Sequence, residues 1–181
     1  SADLYVNLEK ETGISTGVKQ NGSLTVALTE HRHEEILRQA SMAKAFGVDV
    51  NEMSISELKS FHPFLNVDGV KGAVHLPLDG QGDPANIAMA LAKGARDLGV
   101  KIFEDTKVTG LNTHNNSVSG VHWENENGKG LIKTENAANC AGMWARDFAE
   151  SHGVTVPLHA CEHFYIVTEP VKNLSTLPVL R

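Results

Sequence analysis

Apolar positions along this chain follow two spacings, one typical of helices and one typical of strands. The helical spacing of three to four residues predicts helices over 3–12, 30–46, 84–98 and 143–152. Runs rich in apolar and β-branched residues predict strands near 15–19, 23–28, 71–78, 100–103, 106–112, 117–124, 130–135, 136–140 and 158–168. This alternation predicts an α+β fold of mixed α and β elements rather than an all-β sandwich.

Capping and turn residues mark the limits of several elements. Ser54 and Glu57 form the capping-box pattern, which predicts a further short helix that runs to Ser60. Asp83 followed by Pro84 is a typical helix start. Glycines directly after the helical patterns predict the ends of three helices: Gly47, Gly99 and Gly153.

Turn residues also predict how strands pair. The dipeptide Asn21-Gly22 lies between two extended runs, so it predicts a hairpin that joins 15–19 to 23–28. Three runs within 106–135 are separated by asparagine-containing turns and predict a β-meander.

Two predictions concern burial. The apolar repeat along 84–98 predicts a buried face of that helix made by Ile87, Ala88, Leu91, Ala95 and Leu98. Cys140 and Cys161, the two cysteines of the chain, sit in apolar runs and are predicted to be buried thiols rather than a disulfide. A reducing compartment follows, so we expect an intracellular, cytoplasmic protein, or a protein of the mitochondrial matrix in a eukaryote.

Composition limits the partners that this chain is expected to have. The 181 residues are 41% hydrophobic and 21% charged, which is ordinary for a globular domain with a sizeable core. The net charge of −6 argues against a broad nucleic-acid interface or an acidic membrane surface. No apolar run approaches the about 20 residues of a spanning helix, so neither nucleic acid nor membrane is predicted as a partner.

Histidines occur in two short clusters that could suggest a metal site. His31 and His33 lie at the start of a predicted helix, and His163 follows Glu162 in a predicted strand. Neither cluster has the ligand spacing of a zinc site, so no metal is predicted.

The segment from Asn139 to Arg146 carries the strongest indication of a binding site. Small residues precede a helical pattern here, and such a turn lets a ligand or a neighbouring backbone approach closely. The start of the following helix would offer free N–H groups to an anion.

Ordered short matches along the whole chain resemble one family of flavoproteins. They resemble the dimethylglycine and sarcosine dehydrogenase group of the D-amino-acid-oxidase-like, FAD-dependent oxidoreductases. Each match alone is weak, and their order and spacing together make the resemblance. The matching pieces are Leu4-Tyr5, Leu8-Glu9, Glu11-Thr12-Gly13, Gly22-Ser23-Leu24, Asp79-Gly80, Asp83-Pro84, Ala90-Leu91-Ala92, Gly99-Val100, Asn139-Cys140-Ala141-Gly142, Trp144-Ala145 and Pro178-Val179-Leu180-Arg181.

This resemblance implies part of a two-domain fold, in which a Rossmann-like FAD domain is joined to a substrate domain with an antiparallel sheet. Residues 1–82 and 154–181 would belong to the substrate domain. Residues 83–153, including the meander near 106–135, would belong to the FAD domain. The family's G-x-G-x-x-G segment would precede Ser1 and the remaining C-terminal part would follow, so we expect an internal fragment.

The resemblance also implies site residues. FAD would contact four residues: Val108, Ala141, Gly142 and Trp144. His163 would lie at the active site, where an imidazole could orient an amine or accept its proton. Tyr165 has the same parity along the predicted strand, so both side chains could line one cavity.

Ordinary structural roles remain open for the same residues. His163 and Tyr165 could be strand residues that bond within a sheet, and Val108 could be an ordinary strand valine. Trp144 is spaced from Phe148 as two core residues of one helix would be.

The implied activity is oxidation of N-methyl amino acids such as sarcosine or dimethylglycine, by hydride transfer from the N-methyl carbon to FAD. The partner would be a small-molecule amine. As an isolated fragment the chain would hold FAD weakly or not at all and would be inactive, and surface left open by truncation could support a homo-oligomer. Residues 157–165 also resemble the regulatory subunit of pyruvate dehydrogenase phosphatase, so a non-catalytic relative is the alternative.

Overall fold

A computed structural model describes residues 2–172 and 177–181 of the chain. The helices are α1 (Ala2–Thr12), α2 (Glu30–Ala45), α3 (Ile55–Phe61), α4 (Pro84–Asp97) and α5 (Ala145–Glu150). The strands are β1 (Ser23–Ala27), β2 (Asn51–Met53), β3 (Gly72–Leu76), β4 (Lys107–His114), β5 (Ser117–Asn125), β6 (Gly128–Lys133) and β7 (Val179–Leu180). The α+β fold class predicted from the sequence is confirmed.

These elements form two units. The first unit comprises residues 1–101 and 168–181, and the second comprises residues 102–167. The helix α4, assigned by resemblance to the FAD domain, therefore lies in the first unit. The assignment of 1–82, 83–153 and 154–181 to flavoprotein domains stays a prediction.

A four-stranded sheet in the order β2-β3-β1-β7 organises the first unit. β1 runs antiparallel to β3, with Ser23 opposite Leu76 and Ala27 opposite Gly72. β2 is antiparallel to β3, whereas β7 is parallel to β1, so the sheet is antiparallel apart from its β7 edge.

The hairpin predicted between 15–19 and 23–28 is wrong. Lys19 forms an isolated bridge with Gln81, through hydrogen bonds of 2.8 and 3.1 Å between their backbone groups. Gly22 has a φ of +81° and its N–H donates to the carbonyl of Asp79, so the chain bends here without pairing its two flanks. Asn21 and Gly22 do lie at a turn, but Gly22 contacts the loop after β3 and the turn does not join two paired strands.

Both faces of this sheet are covered by helices. Successive residues of β1 and β3 point to opposite faces, so each strand serves two cores. On one face Ile36 of α2 packs with Ala27 and Val74, and on the other Leu58 of α3 packs with Leu24 and Ala73. Each fully buried leucine side chain stabilises the unit by about 1.5–3 kcal/mol relative to an exposed one.

The predicted helix starts are confirmed in atomic detail. Ser54 and Glu57 form the reciprocal capping box before α3. The Asp83 carboxylate accepts hydrogen bonds from the N–H groups of Ala85 and Asn86, 2.9 and 3.0 Å away. These bonds satisfy donors that have no partner inside the helix.

The predicted helix ends are confirmed as well. Gly47, Gly99 and Gly153 all have positive φ angles of 74–86°. The N–H of each glycine, and that of the residue after it, bonds back to carbonyls of the last turn, as in the Schellman motif.

The predicted buried face of α4 is wrong. Ala90 is the buried residue of this helix, which packs against α1, and Gly94 lies close enough that a Cβ would come within 3.4 Å of Thr12. Leu98 is 87% exposed and Leu91 is 39% exposed. Apolar residues occur on two sides of α4, so periodicity did not identify the side that is covered.

The second unit contains the predicted β-meander, with strands in the order β4-β5-β6. The turn between β4 and β5 places Asn115 and Asn116 at φ angles of 49° and 60°. Asparagine tolerates this left-handed conformation, and two such residues give the tight turn that matches strand twist.

Four predicted strands are absent: 15–19 has only the isolated bridge at Lys19, and 100–103, 136–140 and 158–168 form no strand. Each has strand-like composition, but a strand requires a neighbour to accept its hydrogen bonds, and none of the described strands pairs with them. The predicted helix 143–152 is also shorter, because a 3₁₀ turn at Gly142–Trp144 precedes α5.

The prediction of buried thiols is wrong, because Cys140 and Cys161 are both exposed and free. Both lie in segments predicted as strands and found without strand neighbours, which removes the expected cover. In the part of the chain that the structure describes, no helix is long and apolar enough to cross a membrane.

The Asp79 carboxylate connects three segments at one end of the first unit's sheet. Asp79 Oδ2 accepts a hydrogen bond from the Ser23 hydroxyl at 2.7 Å and lies 3.2 Å from Nη2 of Arg181, and Oδ1 accepts from the Gly80 N–H at 2.9 Å. Partial burial raises the pKa of Asp79, but the bonds from Ser23 and Gly80 and the charge of Arg181 outweigh it, so the pKa is lowered. One side chain thus links β1, the loop after β3, and the residue after β7.

Replacement of Leu24 by alanine should remove about 2–5 kcal/mol from the free energy of unfolding, because the leucine is fully buried beside Leu58 and Ala73. Urea unfolding followed by far-UV circular dichroism measures this loss. The matched control is Leu28→Ala, four residues further and 65% exposed, which should change the free energy by less than about 0.5 kcal/mol. Equal losses in the two variants would contradict the described core.

Replacement of Asp79 by asparagine should destabilise the chain at neutral pH and matter progressively less in acid. A carboxyl group with a lowered pKa stabilises the folded state above the pKa of the unfolded chain, and this contribution is lost as pH falls through the folded pKa. Thermal unfolding of both proteins between pH 7 and pH 3 should therefore show converging midpoints. Asp68→Asn, in the exposed loop after α3, is the control. Parallel curves for Asp79→Asn would contradict the carboxylate's role.

Candidate functional site

A cavity of about 650 Å³ lies within the second unit. Its walls come from β4, from the turn before the 3₁₀ helix, and from α5, and we call it the β4–α5 cavity. The lining residues are Lys107, Val108, Thr109, Ala138, Asn139, Cys140, Ala141, Trp144, Asp147 and Phe148.

The turn that forms one wall is held by Asn139. Its Oδ1 accepts a hydrogen bond from the N–H of Ala141 at 3.2 Å, and its Nδ2 donates to the carbonyl of Ala145 at 2.9 Å. One side chain therefore joins the turn to the first residue of α5, as asparagine side chains do in Asx-turns. The sequence motif contains Asn139, but only the folded turn shows that its side chain holds the turn to α5.

Gly142 follows this turn with a φ of +54° and leaves open space beside it. A Cβ built at Gly142 would meet no atom within 4 Å. The left-handed conformation favours glycine, and the empty space allows another molecule to approach the backbone. α5 itself has six residues and begins at Ala145 without a side-chain cap. The structure therefore does not contain the longer helix start at residue 143 that was predicted to face an anion.

Two large apolar side chains of the cavity are exposed. Trp144 is 68% exposed and Val108 is 46% exposed. Neither side chain is buried as a core residue would be, so the alternative role of Trp144 as a core partner of Phe148 is not supported. Apolar surface that faces an open cavity is the usual lining of a site for a flat organic ligand.

Three adjacent residues of β4 line the cavity, although alternate residues of a strand normally point to opposite faces. The pairing of β4 with β5 shifts in register between Val108 and Gly110. Such an irregularity re-aims side chains, so Lys107 and Thr109 join Val108 at the cavity. No feature of the sequence indicated this shift, and the sequence analysis therefore missed both neighbours.

Charged groups lie at the rim of the cavity. Lys107 is 76% exposed, and its Nζ is 3.9 Å from Oε1 of Glu124. On the outer side of α5, Arg146 Nε is 2.9 Å from Oε1 of Glu150, and this hydrogen bond and ion pair raise the pKa of Arg146. The pair supports the short helix, whereas Lys107 and Asp147 are the charged residues that line the cavity itself.

The predicted cofactor residues converge, but the predicted catalytic residues lie apart from them. Val108, Ala141 and Trp144 line the β4–α5 cavity, and Gly142 is adjacent in the same turn. His163 and Tyr165 are exposed on a segment that forms no strand, and they do not line this cavity. Their roles stay predictions.

No metal centre is formed by the residues that the structure describes, since no group of three or more His, Cys, Asp and Glu side chains is arranged to hold an ion.

Known relatives of the chain include dehydrogenases and a regulatory protein. It is 38% identical to human mitochondrial sarcosine dehydrogenase over 96% of the chain and 19% of that protein. It is 38% identical to the mouse mitochondrial pyruvate dehydrogenase phosphatase regulatory subunit, over 94% of the chain and 19% of that protein. Rat mitochondrial dimethylglycine dehydrogenase is 32% identical over the whole chain and 21% of its own length. The chain thus spans about a fifth of the length of these relatives.

Solved structures agree with these sequence matches. The crystal structure of L-proline dehydrogenase from P. horikoshii is similar with a TM-score of 0.78 and 26% identity, over 99% of this chain and 47% of that one. A family model described as FAD dependent oxidoreductase matches residues 1–180. Because this match covers almost every residue, and the sequence motifs and the solved fold agree with it, the chain belongs to the DAO family of FAD-dependent oxidoreductases.

Proposed function

We propose that the β4–α5 cavity holds the adenosine half of FAD in an enzyme that oxidises N-methyl amino acids of the sarcosine or dimethylglycine type. The observation that carries the proposal is the convergence of Val108, Ala141 and Trp144 on one mainly apolar cavity. Val108 is far along the chain from Ala141 and Trp144, and the family resemblance assigns all three residues to FAD. The substrate class is supported by the identity to sarcosine and dimethylglycine dehydrogenases.

The residues present fit an adenosine diphosphate group. The volume of about 650 Å³ falls within the range of about 300–1,000 Å³ that is usual for small-molecule sites. The indole of Trp144 and the side chain of Val108 offer apolar contacts to a flat base. Gly142 leaves room beside the backbone, and Lys107 can supply positive charge to a phosphate.

The chemistry divides between the cofactor and the chain. FAD, when bound, supplies the acceptor for a hydride from the N-methyl carbon. The chain would contribute binding of the adenosine half and, through His163 and Tyr165, orientation of the amine and removal of its proton. A neutral imidazole suits this role because its free ring nitrogen can accept a proton from the amine.

The alternative of a non-catalytic regulatory subunit is not favoured. The family model describes an oxidoreductase over nearly all residues, and the sarcosine dehydrogenase relative is as similar as the regulatory one. The mammalian relatives are named as mitochondrial, which supports a matrix location if the source is a eukaryote. If the source is not a eukaryote, a cytoplasmic location stays a prediction. The formation of a homo-oligomer also stays a prediction.

FAD added to the purified chain should quench tryptophan fluorescence with weak affinity, because the family's G-x-G-x-x-G segment, which binds the pyrophosphate, is not among these residues. ADP should displace FAD, whereas FMN should not, because the proposed cavity receives the adenosine half. Displacement by FMN but not by ADP would contradict the assignment.

Val108→Glu should weaken FAD binding about tenfold or more, because it removes an apolar contact and adds a second carboxylate to the wall that Asp147 already lines. Ile132→Glu is the matched control, because Ile132 lies in the same meander, is also 46% exposed, and lines another cavity. Fluorescence titration of both variants measures the difference. An equal loss of affinity in the two variants would indicate a general effect on the meander.

The complete product of the gene that encodes this chain should oxidise sarcosine or dimethylglycine. His163→Ala should lower kcat/KM by about 100-fold, which is the scale of a lost general base. His159→Ala, on the same exposed segment, is the control and should retain activity. Steady-state assays with an artificial electron acceptor measure both effects. Undiminished turnover by His163→Ala would remove this residue from the mechanism.

A further inference from the structure

His152 joins the two walls of the β4–α5 cavity without lining it. Its Nε2 accepts a hydrogen bond of 2.8 Å from the backbone N–H of Leu111 in β4. Its Nδ1 lies 2.9 Å from the carbonyl oxygen of Phe148 in α5, and the two rings are 4.9 Å apart between centroids. Phe148 is itself a lining residue of the cavity.

These contacts require one protonation state and one tautomer of the imidazole. Because Nε2 accepts the bond from Leu111, it carries no proton, and the proton of a neutral ring is then on Nδ1. That nitrogen lies 2.9 Å from both the Phe148 carbonyl oxygen and the Ser151 hydroxyl, and the hydroxyl itself donates to the same carbonyl at 2.7 Å. Hydrogen bonds therefore hold the ring at both nitrogens, and the bond at one nitrogen determines whether the other carries the proton.

The bond to Leu111 satisfies an otherwise open strand edge. β4 pairs with β5 and is an edge strand of its sheet among the described strands. An unpaired N–H on such an edge needs an acceptor or water. His152 directly follows Ser151, the C-cap of α5, in the turn that Gly153 completes with a positive φ. The ring lies close to β4, since a Cβ built at Gly110 would be 3.5 Å from Nε2.

We propose that His152 is a positioning residue for FAD, which sets the distance between the Phe148 wall and the β4 wall of the cavity. The inference rests on the proposed function, because it takes FAD to be the occupant. It assigns no direct contact with the cofactor to His152. Removal of the Nε2 acceptor alone should release α5 from β4 and widen the cavity, although the residues that line the cavity are unchanged.

Two substitutions of His152 test the contributions of Nε2 and Nδ1 separately. His152→Gln extends its amide oxygen to about the position of Nε2 and can still accept the bond from Leu111, whereas His152→Asn reaches only the position of Nδ1. The Asn variant should therefore raise the Kd for FAD about fivefold to tenfold, as expected for one lost hydrogen bond, and the Gln variant should stay within about twofold of the unchanged chain. Equal affinities of the Asn variant and the unchanged chain would overturn the proposal, and so would equal losses in both variants.

Nuclear magnetic resonance of the chain without FAD tests the same geometry independently of the cofactor. The ¹⁵N spectrum of the His152 ring should show a proton on Nδ1 and none on Nε2, and the Leu111 amide should be protected from hydrogen exchange. In His152→Asn, the amide signals of Val108 and Phe148 should shift and Leu111 should lose protection, whereas His152→Gln should retain both. A proton on Nε2, or an unprotected Leu111 amide in the unchanged chain, would overturn the proposal.

The two experiments distinguish failure of the inference from failure of the proposed function. If the unchanged chain shows the expected tautomer and protection but the complete gene product binds no FAD, the proposed occupant is wrong and the positioning of FAD falls with it. If the chain binds FAD but the ring has the other tautomer, FAD binding stands and the role of His152 is refuted. Support requires the expected tautomer together with the difference between Asn and Gln in FAD affinity.

Discussion

The five-residue antiparallel pairing of β1 with β3 is the constraint on which the first unit depends. It brings residues about 50 positions apart in the chain into register, and it gives both cores their central members. α2 and α3 could not bury Ile36 and Leu58 without it, because an isolated amphipathic helix gains little stability in water. The same pairing brings Ser23 to Asp79 and so lets one carboxylate hold β7 through Arg181.

A close approach of two loops depends on this pairing as well. A Cβ at Gly80 would lie 2.0 Å from the carbonyl oxygen of Lys19, so only glycine fits there. That contact, and the bridge between Lys19 and Gln81, bring the segment before β1 alongside the loop after β3. Asp83 then starts α4 directly after the loop, and α4 packs on α1. Local caps and long-range pairing therefore act together to close this unit.

The second unit has little buried core, since Ala149 is its one buried hydrophobic residue in the part of the chain that the structure describes. Its meander is formed by local turns, and α5 is short, so hydrogen bonds from single side chains have a large share in joining them. Asn139 fixes the turn to α5, and His152 fixes α5 to β4. Both act on the walls of the β4–α5 cavity, which is why residues that do not contact a ligand can still set its shape. This arrangement fits a family in which FAD does the chemistry and the protein supplies geometry.

The sequence by itself determined the fold class, most helix limits, the meander and the family. These follow from short-range causes: the capping bonds of Ser54 and Asp83, the left-handed glycines that end helices, and turns with two asparagines. Tertiary structure alone decided which strands pair, which side of α4 is covered, whether Cys140 is buried, and that Lys107 and Thr109 join the cavity. A strand-like run at 158–168 has the right composition, but its pairing depends on a neighbour that its own residues cannot specify. Capping depends on atoms a few residues away, whereas pairing and burial depend on whatever else the chain brings to the same place.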